Sequence, residues 1–322
     1  LVDDGKILLR VDHVDGNDIV TEVLEGGIVS DNKGINMPGV GVSVPALAEK
    51  DIDDLRWALR AGTDLVALSF VRSAADIADV HAVMDEVGIR VPVLAKIEKP
   101  QAVDNLADII AAFDGVMVAR GDLGVELPIE QVPLVQKQAI SMCRNVGKPV
   151  IVATQMLDSM VTARRPTRAE ASDVANAVLD GTDALMLSAE TSVGDHPVTV
   201  VETMARIIRH VEEQSLTAMP PVAETKVGST ARALTRAACQ VGESVGATHL
   251  CTFTETGLTT RLVARHRSPI PLVAFTPSQR VRSQLSLVWG VETFLTPHAE
   301  TTDEMVQLVD NELLALRRCE PG

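Results

Sequence analysis

Tyrosine is absent from the 322-residue sequence, and aromatic residues make up only 2% of it. Nucleic-acid bases are commonly held by stacking on aromatic faces, so no such platform is available. Basic charge is also in deficit: 29 Lys and Arg stand against 44 Asp and Glu, a formal net charge of −15. Neutralising nucleic-acid phosphates, or resting on an anionic membrane, requires a basic face, so this balance argues against both partners. No run approaches the roughly 18 apolar residues of a membrane-spanning helix, and nothing at the start reads as a signal peptide. Cysteine is scarce. Cys143, Cys239, Cys251 and Cys319 are scattered without a Cys-x-x-Cys pair, the pattern of reduced thiols in a cytosolic protein.

What is present is a large apolar fraction, 46%, enough for about two domains with sizeable cores. Residues 1–38 read as a small β-rich piece with turns at Asp4-Gly5, Asp15-Gly16 and Gly26-Gly27. From residue 39 the texture changes. Apolar runs recur at 65–71, 91–98, 115–122, 149–156 and 184–190, separated by helical patterns. Successive starts lie one βα unit apart, which predicts parallel strands buried on both faces. Thr167 to Glu170 and, more weakly, Ser73 to Asp76 fit capping boxes at helix starts. Residues 216–228 contain two prolines and read as a linker between a domain of strands and helices at 39–215 and a second α/β domain at 229–322. In that second domain a helix is predicted over 229–245, with strands near 248–253, 271–275 and 291–295.

Each of the five strands in the first domain ends in polar residues: Ser69, then Lys96 and Glu98, Arg120 and Asp122, Thr154 and Gln155, Ser188 and Glu190. Parallel strands place these on one rim, where α/β barrels build their sites. Strand alternation turns Lys96 and Glu98 to the same face. A buried ion pair is weak evidence for stability, so a functional reason is sought. Glu98 and Asp122 close adjacent strands about 5 Å apart and could share one divalent ion, leaving most of its coordination to water and substrate, as Mg²⁺ prefers. The competing reading pairs Glu98 with Lys96 and Asp122 with Arg120 as structural salt bridges. Gly121 admits close approach of a ligand, and its N–H and that of Asp122 suit an anion; a plain tight turn is the alternative.

Taken together, these residues resemble the pyruvate kinase family. The resemblance runs through "NKGINMPG" (32–39), "KDIDDL" (50–55), "LSFVR" (68–72), "AKIEKP" (95–100), "GVMVARGDLGVE" (115–126), "GKPVIVATQML" (147–157), "RPTRAEASDVANAVLDGTDALMLSAET" (165–191) and "GDHP" (194–197). It implies phosphoryl transfer from phosphoenolpyruvate to ADP, giving pyruvate and ATP in glycolysis, in a cytoplasmic homotetramer. By the same resemblance Glu98 and Asp122 would ligate Mg²⁺ (or Mn²⁺ in its place), and Lys96 would neutralise charge on the phosphoryl group and the enolate oxygen. Gly121, Asp122 and Thr154 would hold the substrate carboxylate, and Lys33 would reach the nucleotide phosphates. Ser188 and Glu190 would join a water network that protonates the enolate. "TETGLTT" (254–260) matches a loop that holds a phosphate of a sugar-phosphate effector in some relatives, through Thr254, Thr256 and Gly257; a helix cap is the alternative.

The fold class implied is α/β: the last five strands of a TIM (β/α)₈ barrel, part of a small β-barrel lid domain and an incomplete C-terminal α/β regulatory domain. The family's K⁺ ligands would precede this sequence, so K⁺ is expected only of the full-length protein. The chain reads as an internal fragment truncated at both ends, with negligible activity and poor folding expected of it alone, because open sheet edges invite aggregation. A Mg²⁺-dependent aldolase acting through a pyruvate enolate is the competing enzyme class, set back by Lys33 and the second α/β domain. An inactive or purely assembling remnant is the non-enzymatic alternative.

Overall fold

The computed structural model describes residues 1–2, 5–31, 34–37, 47–216, 219–223 and 229–318, and the chain divides into two compact units. The first comprises Leu1–Ala139, Ile151–Glu170 and Met186–Glu202; the second comprises Ile140–Val150, Ala171–Leu185 and Thr203–Gly322. Asp4 and Lys33, which carry sequence expectations, lie outside the described residues.

The first unit opens with an antiparallel hairpin of β1 (Leu8–Asp15) and β2 (Asp18–Glu25), closed by the Asp15–Asp18 pair. Its turn is Gly16-Asn17, one residue later than the sequence pattern suggested, with Gly16 at φ 61°. Such left-handed geometry is what a two-residue hairpin loop demands. Val2 and Ile7 form a bridge around the first expected turn. At Gly26-Gly27 the chain runs on without a turn, a departure from expectation.

The apolar runs become β3 (Val66–Leu68), β4 (Val93–Ile97), β5 (Gly115–Ala119), β6 (Val150–Ala153) and β7 (Ala184–Met186). Among the described residues they form one five-stranded sheet in chain order, β3-β4-β5-β6-β7. The β3–β4 and β4–β5 pairs are parallel, as consecutive βα units require. Val93, Leu94, Ala95 and Ile97 of β4 are each at most 2% exposed. Burial of large apolar side chains at about 1.5–3 kcal/mol each drives this strand inward on both faces. The helix Ile77–Val87 turns Val80, Val83 and Met84 to the core, the i, i+3, i+4 stripe of an amphipathic helix. Both expected capping boxes form. Thr167 Oγ1 accepts from the Glu170 N–H at 3.2 Å while the Glu170 carboxylate accepts from the Thr167 N–H at 2.7 Å, and Ser73 and Asp76 do likewise.

The second unit contains a parallel sheet ordered β10-β9-β8 from β8 (Leu250–Phe253), β9 (Leu272–Thr276) and β10 (Val291–Leu295). Alternation along β9 divides its core. Leu272 and Ala274 pack with Cys239, Val263 and Leu285 on one face. Val273 and Phe275 pack with Leu313 on the other. Phe253, Phe275 and Phe294 line up with ring centroids 5.7 and 6.2 Å apart, so three of the chain's five phenylalanines stabilise one small sheet. The helix Thr230–Val245 is capped by Ser229, whose hydroxyl accepts from the Arg232 N–H.

Candidate active site at the carboxyl ends of the strands

Within the first unit Lys96 and Glu98 share a face, as strand alternation predicted. Lys96 Nζ lies 2.5 Å from Glu98 Oε1 and donates to Ser69 Oγ at 2.9 Å. Glu98 is only 1% exposed, whereas the Lys96 side chain retains 24%. The anion is therefore sequestered and the cation faces outward. Glu98 Oε2 accepts from the Phe70 N–H at 2.8 Å. Phe70 has φ 57°, a left-handed conformation that a bulky residue rarely adopts. Lys99 stands 5.4 Å from the centre of the Phe70 ring and pairs with Glu126 at 2.6 Å.

The next strand ends carry the same kind of strain. Thr154 and Gln155 have φ 69° and 53°. Conformations of this kind cost about 1–3 kcal/mol each and persist where surroundings over-determine them. Arg120 supplies the restraint by donating Nη2 to the Thr154 carbonyl at 3.0 Å and the Gln155 carbonyl at 3.2 Å. Thr154 Oγ1 accepts from the Gly121 N–H at 2.6 Å and donates to the Ala153 carbonyl at 2.6 Å. A side chain at 121 would meet Thr154 Oγ1 at 3.3 Å, so glycine permits this close approach. Asp122 occupies the first turn of the helix Arg120–Glu126 that begins as β5 ends.

Glu190 is 1% exposed, and its two oxygens accept from the Leu157 N–H at 3.1 Å and the Ser188 N–H at 2.7 Å. The Ser188 hydroxyl is buried without a hydrogen-bond partner among the described residues. The structure therefore gathers Lys96, Glu98, Gly121, Asp122, Thr154, Ser188 and Glu190 at the strand ends of one unit. Sequence reasoning missed Phe70 and the Lys99–Glu126 pair, and it gave no sign of the left-handed backbone at Phe70, Thr154 and Gln155. The signal for Phe70 was slight: it follows the polar end Ser69 directly.

Metal chemistry can be tested on the donors present. Each Glu98 oxygen makes one hydrogen bond and keeps a lone pair for a cation. Two carboxylates at adjacent strand ends offer hard oxygens, which suit Mg²⁺. Among the described residues no group of three or more His, Cys, Asp or Glu is arranged to hold a metal. In the second unit Thr254 Oγ1 accepts from the Gly257 N–H at 2.9 Å, Gly257 has φ 78°, and Thr256 offers its carbonyl to Arg261.

Consecutive parallel βα units with a cation–carboxylate rim at their carboxyl ends define an α/β protein of barrel type. The profile of the pyruvate kinase barrel domain matches residues 1–201, and that of the pyruvate kinase alpha/beta domain matches residues 232–322. Pyruvate kinase of Mycobacterium tuberculosis strain H37Rv is 61% identical over 323 residues, covering all of this chain and 68% of its own length. Pyruvate kinase of Corynebacterium glutamicum is 56% identical over 326 residues, covering all of this chain and 67% of its own. That of Geobacillus stearothermophilus is 46% identical over 318 residues, covering 96% and 53%. The chain belongs to the pyruvate kinase family.

Proposed function

We propose that this chain carries the machinery for transferring the phosphoryl group of phosphoenolpyruvate to ADP, yielding ATP and an enolate that takes up a proton to become pyruvate. The observation that carries the reading is the asymmetric ion pair: Glu98 almost fully buried, Lys96 held beside it with its ammonium reachable. Phosphoryl transfer requires positioning and charge neutralisation more than covalent help, and a cation held in place at the rim supplies both.

Glu98 and Asp122 would hold Mg²⁺, which when bound adds Lewis-acid contact to phosphoryl and enolate oxygens. Lys96 faces the same oxygens and offsets their growing charge. The Gly121 N–H, now donating to Thr154 Oγ1, would turn to the substrate carboxylate together with the Asp122 N–H and the Thr154 hydroxyl. Ser188 has a hydroxyl free to join a proton path. Glu190, satisfied by two backbone N–H groups, serves to position Ser188. Lys33, outside the described residues, is assigned to the nucleotide phosphates. K⁺ dependence, tetramer assembly and a cytoplasmic setting follow from the family reading; no helix among the described residues is long and apolar enough to cross a membrane. The turn of Thr254, Thr256 and Gly257 is read as the effector loop.

A coupled assay tests the whole reading. Pyruvate formation that requires both phosphoenolpyruvate and ADP supports it. Carbon–carbon cleavage without ADP would replace it with an aldolase.

A further inference from the structure

The second unit buries three arginines: Arg144 is 4% exposed, Arg265 7% and Arg267 5%. Their hydrogen bonds go mainly to neutral carbonyls. Arg144 donates to Pro220 at 2.9 Å and Arg265 at 3.2 Å. Arg265 donates to Asn145 at 2.9 Å, and Arg267 to Gly181 at 2.7 Å. Carbonyls satisfy N–H groups but carry no net charge. One carboxylate, Asp183, lines the void these residues share. It accepts from Arg267 at 3.0 Å, from the Trp289 N–H at 3.2 Å and from the Val150 N–H at 3.0 Å.

Among the described residues, three buried cations share that one carboxylate at the void, with Glu243 beside Arg265 and His266 at a neighbouring groove, so positive charge is in excess, an arrangement that low-dielectric surroundings penalise. Moreover, the Nε atoms of all three arginines are buried with no hydrogen-bond partner among the described residues, as is Nε2 of the adjacent His266. Buried donors of this kind are rare in folded proteins and call for an explanation.

The void is about 10 Å³ and is lined by Arg144, Lys148, Asp183, Arg261, Arg265 and Arg267. That is about the room of one water-sized sphere. A monatomic anion matches that room. A water molecule would satisfy a donor but leave the charge unbalanced.

We infer that this cavity is a binding site for a single halide-sized anion, chloride in the first instance. Its electrostatics agree. Burial and the neighbouring Arg267 hold Arg144 down to about 10, and burial with Arg265, Arg236 and Arg144 holds His266 down to about 4. In both, burial is the larger cause and the neighbouring cations add to it.

Crystals of the chain grown in bromide should give an anomalous peak at hydrogen-bond distance from the three guanidinium groups. In solution, chloride should broaden its own NMR line on binding and raise Tm relative to gluconate at equal ionic strength. The rise should be about 2–4 °C for each tenfold increase above the dissociation constant. Arg144→Gln should weaken chloride binding about tenfold or more, and Asp183→Asn should tighten it. These opposite directions distinguish a charge-built site from a general salt effect. If either variant fails to fold, the bromide peak and the chloride dependence of the unaltered chain decide the matter. An ordered water with no bromide peak, or a Tm indifferent to chloride over gluconate, overturns the inference.

Discussion

The two units bury charge in opposite ways. At the strand ends of the first, two lysines each face a carboxylate, Lys96 with Glu98 and Lys99 with Glu126, the carboxylates deep and the ammonium groups nearer solvent. In the second, Arg144, Arg265 and Arg267 lie inside with Asp183 as the carboxylate lining their shared void. The difference teaches that reachability, rather than number of charges, marks a site built for a transient polyanion. A cation that must meet a substrate keeps its head outside and its counter-ion behind it. A cation that is never released can be sealed in.

The contrast can be broken first at Lys96. In an active preparation, Lys96→Met should lower turnover by about 10³ or more, the scale of a lost electrostatic stabiliser; near-normal turnover in the coupled assay would remove its role. Next comes the carboxylate behind it. Glu98→Ala should weaken Mg²⁺ binding, read by calorimetry, by more than about tenfold, and undiminished uptake would make the Lys96–Glu98 pair purely structural.

On the sealed side, Gly181→Ala tests how tightly the arginines are packed. Gly181 has φ 94°, and an added Cβ would meet Arg144 Nη1 at 2.6 Å. A loss of about 2–3 kcal/mol is expected in thermal unfolding, and a neutral outcome would mean that the cluster is loose.

Smaller effects appear with pH. His266 titrates near 4 when folded and near 6.5 when unfolded, so the unfolded chain binds the extra proton. Stability should therefore fall as pH drops from 6.5 to 4, and His266→Asn should flatten that limb by about 1 kcal/mol after solvent screening. Identical pH profiles for both proteins would show that neither burial nor the neighbouring arginines shift this ring. Glu170 behaves in the carboxylate sense. Burial raises its pKa, but hydrogen bonds from Ser159 and Thr167 together outweigh this and hold it below its usual value. Its contribution is present above about pH 4.5 and is lost as pH falls through the depressed value. Glu170→Gln should cost about 1 kcal/mol at neutral pH, read by denaturant unfolding, and an unchanged midpoint would mean that the cap contributes nothing.

Much of the first unit was legible because its signals are local. Strand ends follow from apolar runs, the shared face of Lys96 and Glu98 from a period of two, and the Thr167 cap from a four-residue pattern. The stretch at 291–295 was placed to the residue. The buried arginines were not legible. Arg144 and Arg267 sit in ordinary polar stretches, "CRNVGKP" and "ARHRSPI", and their burial arises from partners 76 and 86 residues away. The left-handed residues were hidden for a different reason. Glycine or asparagine would have advertised such a backbone, whereas Phe70, Thr154 and Gln155 adopt it where Glu98 and Arg120 hydrogen-bond to their peptide groups.

Glu98 thus fastens a contorted peptide at Phe70 with one oxygen while facing an ammonium with the other. Electrical tuning of the rim and the shape of its backbone are consequently a single variable. A shorter acid at 98 would shift the lysine and release Phe70 in the same stroke, so any redesign of this rim has to alter both together.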